Sequence, residues 1–486
     1  MDVRKDHNRD VDLGKLTSGS NNILLVNTHA IDVRLPWSKW HQPTGLLQIG
    51  QVLKSKGIDV RFIDCLGHDK TGRIRRRKVG EIDIEGYQLD LWRYGRLWSK
   101  INKDIQKFKN EGWIPDQIFV SCPQTTWWRA AKELISNIKS EWFPNVEVLL
   151  GGTYPCLEYD HARLYTNADQ IVSGSIAKAS GEEPAFELYP DDLRPNFTGI
   201  YLYHSQDVND VQIGEKIIPR SPDAIASEYD EKASLGVTEF AFFDDEILRE
   251  HRDHFIQVLK AIVSIGRKLT GFISIGNISP EFINKDVAYW MGKANYRNVY
   301  LKCDVIYDGE NARYETTYDT YKSCVKVLQS NAEFKPRSGQ VTAMLLIGHP
   351  NEDIEKITER LIILASIVGS VNLVQYQYSR GTEFGEQYTN FLRKQNGNLN
   401  LIKLNCKLYP LSRLLGIPYK DYVELTRLAT LLNNKFRSKT FNFLGDDIVA
   451  KMVRKSFRTE GWKPLEEKSD TSKYHIQEEP IRGTEK

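Results

Sequence analysis

The chain has 486 residues, 41% of them hydrophobic and 27% charged, so it is long enough for two or three domains that each bury an ordinary core. Its 66 Lys and Arg residues nearly balance 64 Asp and Glu residues, and the net charge of +2 argues against long-range attraction to nucleic acid or to an anionic membrane. The apolar runs are strand-sized, and the polar N-terminus lacks the apolar segment of a signal peptide. Six cysteines lie singly rather than as a disulfide framework, which predicts a cytoplasmic protein without a membrane span.

The first half of the chain predicts a doubly wound α/β domain. After a flexible arm over residues 1–21, short apolar runs alternate with helical patterns through residues 22–190, which is typical of a Rossmann-like sheet. A charged and aromatic stretch, 66–95, is interpreted as an insertion, and its basic run from Arg73 to Lys78 as a solvated loop, because acidic residues follow it. The predicted strands are 23–27, 60–64, 117–121, 146–150 and 170–173.

A second βα series is predicted within residues 196–390. Six units are too few for a closed eight-strand barrel and predict a (β/α)6 partial barrel, whose working face lies at the carboxyl ends of its strands. A helical C-terminal region is predicted over residues 400–458, and the charged tail 459–486 is predicted to be disordered. The predicted strands are 199–204, 238–243, 271–275, 298–303, 340–347 and 371–376.

Polar residues and glycines gather directly after the strands of the first domain. Parallel strands bring such loops to one rim, where glycines let a flat ligand approach the backbone and a helix start offers unpaired N–H groups. The alternative is that these are ordinary tight turns, and the grouping of three loops leaves the two interpretations equally favoured. The candidate cofactor-binding residues are Asn27, Thr44, Gly45, Ser121, Gln124, Thr125, Gly151, Gly152 and Thr153.

Three cysteines, Cys65, Cys122 and Cys156, also follow strands of the first domain. If the strand order is 2-1-3-4-5, strands 2 and 4 lie roughly 14 Å apart. One metal ion with Zn–S bonds of about 2.3 Å cannot span that distance. A buried structural role is therefore favoured for these thiols.

In the second domain, the chemistry-bearing side chains follow predicted strands 2 and 5. Asp244, Asp245 and Glu246 form an acidic cluster that is costly unless it is solvated, paired or metal-bound. A polar rim and a substrate or cofactor contact remain equal alternatives for this cluster. Asp244, Asp245 and His349 are the candidate general bases, with a simple polar contact as the alternative for His349.

The order of these stretches resembles radical S-adenosylmethionine proteins that carry an N-terminal cobalamin-binding domain. The resemblance spans roughly residues 23–388. It implies a cobalamin domain followed by a partial barrel, with loops after strands 1, 3 and 4 on the corrin. It also implies cobalamin as a cofactor, leaves S-adenosylmethionine open, and implies methyl transfer or ring-forming chemistry. The carrying stretches are Pro43–Cys65, Cys122–Ala162, Phe240–Leu248, Leu345–Asp353 and Tyr376–Phe384.

The chain departs from this family where the family binds its four-iron, four-sulfur cluster. The family places CxxxCxxC in the loop after barrel strand 1, because thiolates hold the cluster. Here that loop is residues 204–212, and no cysteine lies between Cys156 and Cys303. The family's glycine and glutamate after strand 4 are Lys302 and Asp304, its PGT after strand 6 begins at Arg380, and the cobalamin signature DxHxxG is absent. The sequence therefore predicts that the 4Fe-4S cluster is absent.

Two functions follow from this pattern. The first is a degenerate family member that binds cobalamin or a substrate, as the partner of an active radical S-adenosylmethionine paralogue. The second is a methyltransferase-type enzyme that uses cobalamin or S-adenosylmethionine without a cluster of its own. A cluster completed by another chain is a third, less favoured reading.

Overall fold

The structure is a computed structural model that describes residues 11–34, 42–67, 74–174, 182–204, 218–244, 246–248, 251–276, 278–303, 318–331, 341–349, 352–376, 386–387, 389–390, 401–410, 413 and 416–437. Strands and helices alternate in it and build two parallel sheets, which confirms the predicted α/β class. None of the described helices is long and apolar enough to cross a membrane.

The strands and helices closely follow the predicted alternation. The strands of the first half are β1 (Asn22–Asn27), β2 (Ala30–Asp32), β3 (Asp59–Asp64), β4 (Arg76–Ile84), β5 (Tyr87–Tyr94), β6 (Gln117–Ser121), β7 (Glu147–Gly151) and β8 (Gln170–Ile171). Those of the second half are β9 (Phe197–Ile200), β10 (Tyr203–His204), β11 (Ile218–Pro219), β12 (Glu239–Phe242), β13 (Gly271–Ile273), β14 (Tyr296–Cys303), β15 (Val341–Ile347) and β16 (Val371–Gln375). The helices are α1 (Leu13–Leu16), α2 (Thr44–Ser55), α3 (Trp98–Asn110), α4 (Trp128–Asn137), α5 (Thr153–Leu157), α6 (Tyr159–Tyr165), α7 (Pro222–Ser234), α8 (Arg252–Ile265), α9 (Lys285–Lys293), α10 (Tyr318–Ser330), α11 (Ile354–Val368) and α12 (Tyr419–Arg437).

The first sheet has the strand order β3-β1-β6-β7-β8, with parallel pairing throughout. In terms of its own strands this is 2-1-3-4-5, the order on which the cysteine argument depended. Alternate residues of β1 belong to different hydrophobic clusters. Leu25 is buried in the same cluster as Leu47 of α2, and Leu24 is buried in the same cluster as Ile101 of α3. Helices therefore cover both faces, as a parallel sheet requires.

The second sheet has six parallel strands in the order β16-β15-β14-β13-β12-β9. Each strand lies beside its predecessor in this sheet, and helices α7 to α11 supply the connections. The helix-facing side carries a stack of aromatic rings: Phe242 and Phe272 lie 5.2 Å apart between ring centroids, and Phe272 and Tyr296 lie 5.5 Å apart. Residues on the opposite side, including Phe197 and Ala241, form a separate small cluster.

The outer edge of β16 is covered by the C-terminal helix α12. The Asn433 side chain donates to the Val371 carbonyl and accepts from the Val371 N–H, both at 2.8 Å. One amide side chain thus takes the place of a neighbouring strand at an edge that would otherwise present unpaired backbone groups.

The predicted insertion, 66–95, contains the hairpin of β4 and β5, and β5 also pairs with β2 in an antiparallel sheet of order β2-β5-β4. Its basic run is not a loop, because Arg76 to Lys78 belong to β4, but these side chains are exposed as predicted. Arg76 lies over the Trp92 ring at 4.3 Å, and Lys78 pairs with Asp90 at 2.6 Å. Cross-strand partners thus keep this charged stretch extended.

The predicted strand 199–204 is wrong in its bounds. Strand β9 ends at Ile200, and β10 pairs with β11 in a separate antiparallel ladder. Side chains hold the backbone between these strands: Asp244 accepts from the N–H groups of Leu202 and Tyr203 at 2.7 and 3.3 Å. Because those N–H groups bond to a carboxylate, they do not extend the hydrogen bonding of β9 within the six-stranded sheet.

Two helical segments are divided. Residues 279–293 begin with a 3₁₀ turn, Pro280–Phe282, and α9 starts anew because the Asn284 side chain accepts from the Val287 N–H at 2.9 Å. Helix α4 is followed by a π-helical turn, Ile138–Trp142.

A buried ionic triad ties α7 to the chain around β9. Glu228 pairs with Lys232 at 2.5 Å and with Arg220 at 2.7 Å, and the Glu228 and Lys232 side chains are both 3% exposed. Lys232 also donates to the Gly199 carbonyl at 3.2 Å, and Arg220 donates to the Tyr201 carbonyl at 2.9 Å. Burial raises the pKa of Glu228, but the two cations outweigh that effect and hold this pKa below its ordinary value.

We expect Glu228→Gln to lower the free energy of unfolding by about 3–5 kcal/mol, because it leaves the buried Lys232 and the largely buried Arg220 without a counter-charge. The matched control is Asp230→Asn on the same helix, whose pair with Arg267 is exposed and should cost less than about 1 kcal/mol. Urea unfolding of both variants at pH 7 measures the difference. Equal losses would show that the triad contributes no more than a surface ion pair.

Candidate functional site

The carboxyl ends of the first sheet bring predicted site residues into one row. Asn27 lies opposite Asp64 of β3 on one side and Ser121 of β6 on the other, and Ser121 lies opposite Gly151 of β7. Three candidate residues that are up to 124 positions apart in sequence are therefore neighbours across strands. This edge is where ligands bind in open parallel sheets.

Asn27 is the buried member of this row. It is 1% exposed, and its side-chain N–H donates to Asp64 at 2.8 Å. The same Asp64 accepts from the Leu66 N–H at 3.0 Å and lies 3.5 Å from the Tyr189 hydroxyl. The side-chain oxygen Oδ1 of Asn27 is buried and has no hydrogen-bond partner in the described part of the chain. Such an acceptor calls for a water molecule or a ligand.

The other candidate residues form a partly exposed, uncharged rim. Thr44, Ser121, Gln124, Thr125, Gly151 and Thr153 are half-buried, and Gly45 and Gly152 are exposed. Among the described residues, a Cβ atom built on Gly45 would have no neighbour within 4 Å, so they leave open space beside the start of α2. No side chain of this described part of the chain caps that helix start.

Gly152 is constrained by its own chain. Its φ of +98° lies in the region that favours glycine, and an added Cβ would lie 2.7 Å from the Cys122 carbonyl oxygen. The sequence predicted that a ligand would approach the backbone closely at this glycine. In the structure it is the Cys122 backbone that lies close to Gly152. The turn from β7 into α5 is thus a tight turn that also exposes the Gly152 backbone at the rim.

His29 lies just behind the rim and is uncharged. It is 1% exposed, its Nε2 bonds to the Arg96 carbonyl at 2.7 Å, and its ring meets Trp98 edge-on at 4.5 Å. Burial lowers the pKa of His29 to about 3. Since Nε2 must donate to a carbonyl, Nδ1 is the bare nitrogen.

The acidic cluster of the second sheet is divided by its partners. Asp244 accepts from the backbone that follows β9, as described above, and Glu246 accepts from the Ser279 hydroxyl and from the Leu248 N–H. Asp245 lies outside the described residues, as do Asn277, Asp304, residues 205–217 and 380–383, and the tail 459–486. Two of the three acids therefore hold loops in place.

His349 follows β15 and is half-buried. Burial lowers the pKa of His349, which favours its neutral form, and its ring lies edge-on to Tyr376 with centroids 5.1 Å apart. The preceding Gly348 N–H donates to both carboxylate oxygens of Glu352 at 2.9 Å. The loop that carries His349 is therefore held in a defined position.

The six cysteines do not assemble. Cys65, Cys122, Cys303 and Cys324 are buried, and Cys156 and Cys406 are half-buried. Burial raises the pKa of the Cys122 thiol to about 12, and it also raises the pKa values of Cys65, Cys156, Cys324 and Cys406. In the described residues, no three His, Cys, Asp or Glu side chains are arranged to hold a metal ion.

Sequence reasoning missed Asp32, a 2% exposed carboxylate at the end of β2 that accepts from Trp127, Asn405 and Lys407. The only sequence signal was an acid directly after the apolar pair Ala30 and Ile31. Its partners in the C-terminal region lie more than 370 positions away, so no local pattern pointed to them.

Comparison with solved structures finds a similar fold in the radical S-adenosylmethionine methyltransferase TsrM from Kitasatospora setae. The structure of TsrM with cobalamin and a [4Fe-4S] cluster bound has a TM-score of 0.52 at 12% identity, over 77% of this chain and 75% of TsrM. The structure of TsrM with tryptophan substrate and the SAM analog aza-SAM has a TM-score of 0.53 at 13% identity, over 90% of this chain and 100% of TsrM. No family model matches the sequence, and no curated protein matches it. At this identity the likeness shows the fold alone.

We expect His29 to make the protein sensitive to acid. Below pH 6.5 the unfolded chain binds a proton at this side chain, whereas the folded chain does so only near pH 3, so the free energy of unfolding falls as the pH drops through this window. The His29→Gln variant should lose up to about 1.36 kcal/mol of that dependence per pH unit. Urea titrations of both proteins between pH 4 and 8 test this, and parallel stability curves would contradict it.

Proposed function

We propose that this protein is a cobalamin-binding relative of radical S-adenosylmethionine methyltransferases that holds no four-iron cluster of its own. Residues 22–190 would be the Rossmann-like cobalamin domain, and residues 196–390 the partial barrel. The observation that carries the proposal is the row of Asn27, Ser121 and Gly151 at the edge where an open parallel sheet binds its ligand, within a fold shared with TsrM, which has been solved with cobalamin bound. Its function would be to bind cobalamin and a substrate as the non-radical, cytoplasmic partner of an active paralogue.

The residues at the first rim fit cobalamin. The corrin ring is large and flat and carries many amide groups, and the exposed rim is uncharged, with open space at Gly45. The buried Asn27 oxygen is an acceptor suited to an amide N–H, which would complete its hydrogen bonding. When bound, cobalamin supplies a cobalt centre that carries methyl groups. The chain's own residues would bind and orient it, with backbone N–H groups near Gly45 and Gly152 close to the ligand.

The cysteines do not fit a four-iron cluster. Such a cluster requires three thiolates close together, whereas the chain has no cysteine between Cys156 and Cys303 and no triplet spacing. Burial also raises the thiol pKa of five of the six cysteines, which disfavours the thiolate form. We therefore assign no radical step to this chain.

One observation favours the alternative, a methyltransferase that works by polar chemistry. Burial lowers the pKa of His349 below its ordinary value, which favours the neutral imidazole that a general base needs. Asp244 is less suited to that role, because its oxygens accept two backbone N–H groups. Transfer of a labelled methyl group from S-adenosylmethionine to an acceptor, lost in His349→Asn, would support this alternative.

We expect the purified protein to retain one hydroxocobalamin per chain after excess ligand is removed, read from the corrin absorption bands. Gly45→Trp should lose most of this retention without loss of stability, because its side chain fills the open space at the rim. The matched control is Gly80→Trp in strand β4, where an added Cβ makes only ordinary van der Waals contacts. Retention that is absent in the wild type, or unchanged in Gly45→Trp, would contradict the cobalamin site.

We also expect anaerobic reconstitution with iron and sulfide to give no stoichiometric four-iron cluster, because three neighbouring thiolates are missing. Iron and acid-labile sulfide analysis of the desalted protein, together with its absorption spectrum, measures the outcome. Four irons per chain with the matching absorption would contradict the proposal that the chain holds no cluster, but it would not bear on the proposed cobalamin site.

A further inference from the structure

The buried carboxylate of Asp32 joins parts of the chain that are distant in sequence. Its Oδ1 accepts from the Asn405 side chain at 2.9 Å, and its Oδ2 accepts from the Lys407 ammonium at 2.5 Å and from the Trp127 indole at 3.3 Å. A carboxylate that is 2% exposed is stable only with such partners. Its position therefore fixes that of each donor.

One of these donors belongs to the first rim. Trp127 ends the 3₁₀ turn Thr125–Trp127 that follows β6, directly after the predicted corrin loop. The other two donors belong to the C-terminal segment. This segment is anchored beside the same turn, because Leu401 is fully buried in the hydrophobic cluster that contains Trp127 and residues of helices α3 to α6. We call residues 401–409, with Tyr419 and Tyr422, the latch.

The far end of the latch lies against the carboxyl edge of the second sheet. Tyr409 and Tyr422 stack with ring centroids 3.8 Å apart, and Tyr409 packs on Gly348, where an added Cβ would lie 3.0 Å from its ring. The Tyr422 hydroxyl donates to Glu352, the same carboxylate that holds the Gly348 N–H. The loop that carries His349 is thus positioned by the latch.

We infer that Asp32 is a positioning residue that couples the two carboxyl edges through the latch. A ligand that moves the turn after β6 would shift Trp127 and Asp32, then Asn405 and Lys407, and finally the loop around Gly348. By reciprocity, a ligand at the second edge acts on the first rim with the same coupling free energy. The coupling belongs to the polypeptide and does not require cobalamin, so it stands or falls separately from the proposed function.

The first test uses the thiol of Cys406, which lies between the two latch donors, as a reporter of docking. Asp32→Asn weakens the charged hydrogen bonds, and the labelling of Cys406 by a thiol reagent, identified by mass spectrometry, should become about tenfold faster or more in native protein. Lys407→Met tests the same contact from its more exposed end and should show the same direction of change.

The matched control is Asp59→Asn, because Asp59 also accepts an indole N–H, from Trp113 at 3.0 Å, but at the opposite end of the first sheet. It should leave Cys406 labelling unchanged. If neither Asp32→Asn nor Lys407→Met accelerates labelling beyond this control, Asp32 does not hold the latch and the inference is wrong.

The second test separates coupling from simple anchoring. Asp32 accepts from Trp127, Asn405 and Lys407, whereas the Tyr422 hydroxyl donates to Glu352. Independent anchors, tested with Asp32→Asn and Tyr422→Phe, should therefore give additive changes in the Cys406 labelling rate, expressed as free energies. A coupled latch gives a non-additive double-mutant cycle, and Asp32→Asn also accelerates hydrogen exchange at the Gly348 amide. An additive cycle with unchanged exchange at Gly348 would show two independent contacts and overturn the coupling.

Discussion

Parallel pairing is the constraint from which the architecture of this protein follows. A parallel strand must return through a crossover, so the loops that leave the strands of one sheet gather at one edge. In the first sheet this rule places Asn27, Ser121 and Gly151 side by side. In the second sheet it places Asp244 and His349 after strands of the same edge. The direction of the strands alone therefore determines where the candidate site residues of each sheet gather.

Side-chain contacts with backbone groups then fix these loops. Asp244 binds two N–H groups after β9, Arg220 and Lys232 bind carbonyls of the same stretch, and Glu352 binds the Gly348 N–H. Charge-assisted contacts of this kind are stronger than neutral ones and define a loop where no strand continues.

The insertion and the C-terminal region give the two sheets a common frame. The hairpin turn between β4 and β5 reaches the C-terminal region, where Glu85 accepts from Arg413 and from the Tyr419 N–H, each at 2.7 Å. At its other end the sheet of β2, β5 and β4 carries Asp32, which accepts hydrogen bonds from Asn405 and Lys407 of the latch. A stretch that reads as an interruption of the sequence pattern is therefore a connecting element between both halves of the chain.

The sequence by itself determined the α/β class, the two series of parallel strands and the residues that follow each strand, because hydrophobic runs and glycine-rich turns are local signals. Only the tertiary structure decided which polar groups meet. Asp32 with Lys407, Glu228 with Arg220, and Asn433 with the backbone of Val371 are such pairs. It also showed that Gly152 makes room for the Cys122 backbone, and that Asp244 holds the chain after β9 instead of extending an acidic cluster. Contacts between distant segments depend on how whole elements pack, and no local spacing records them.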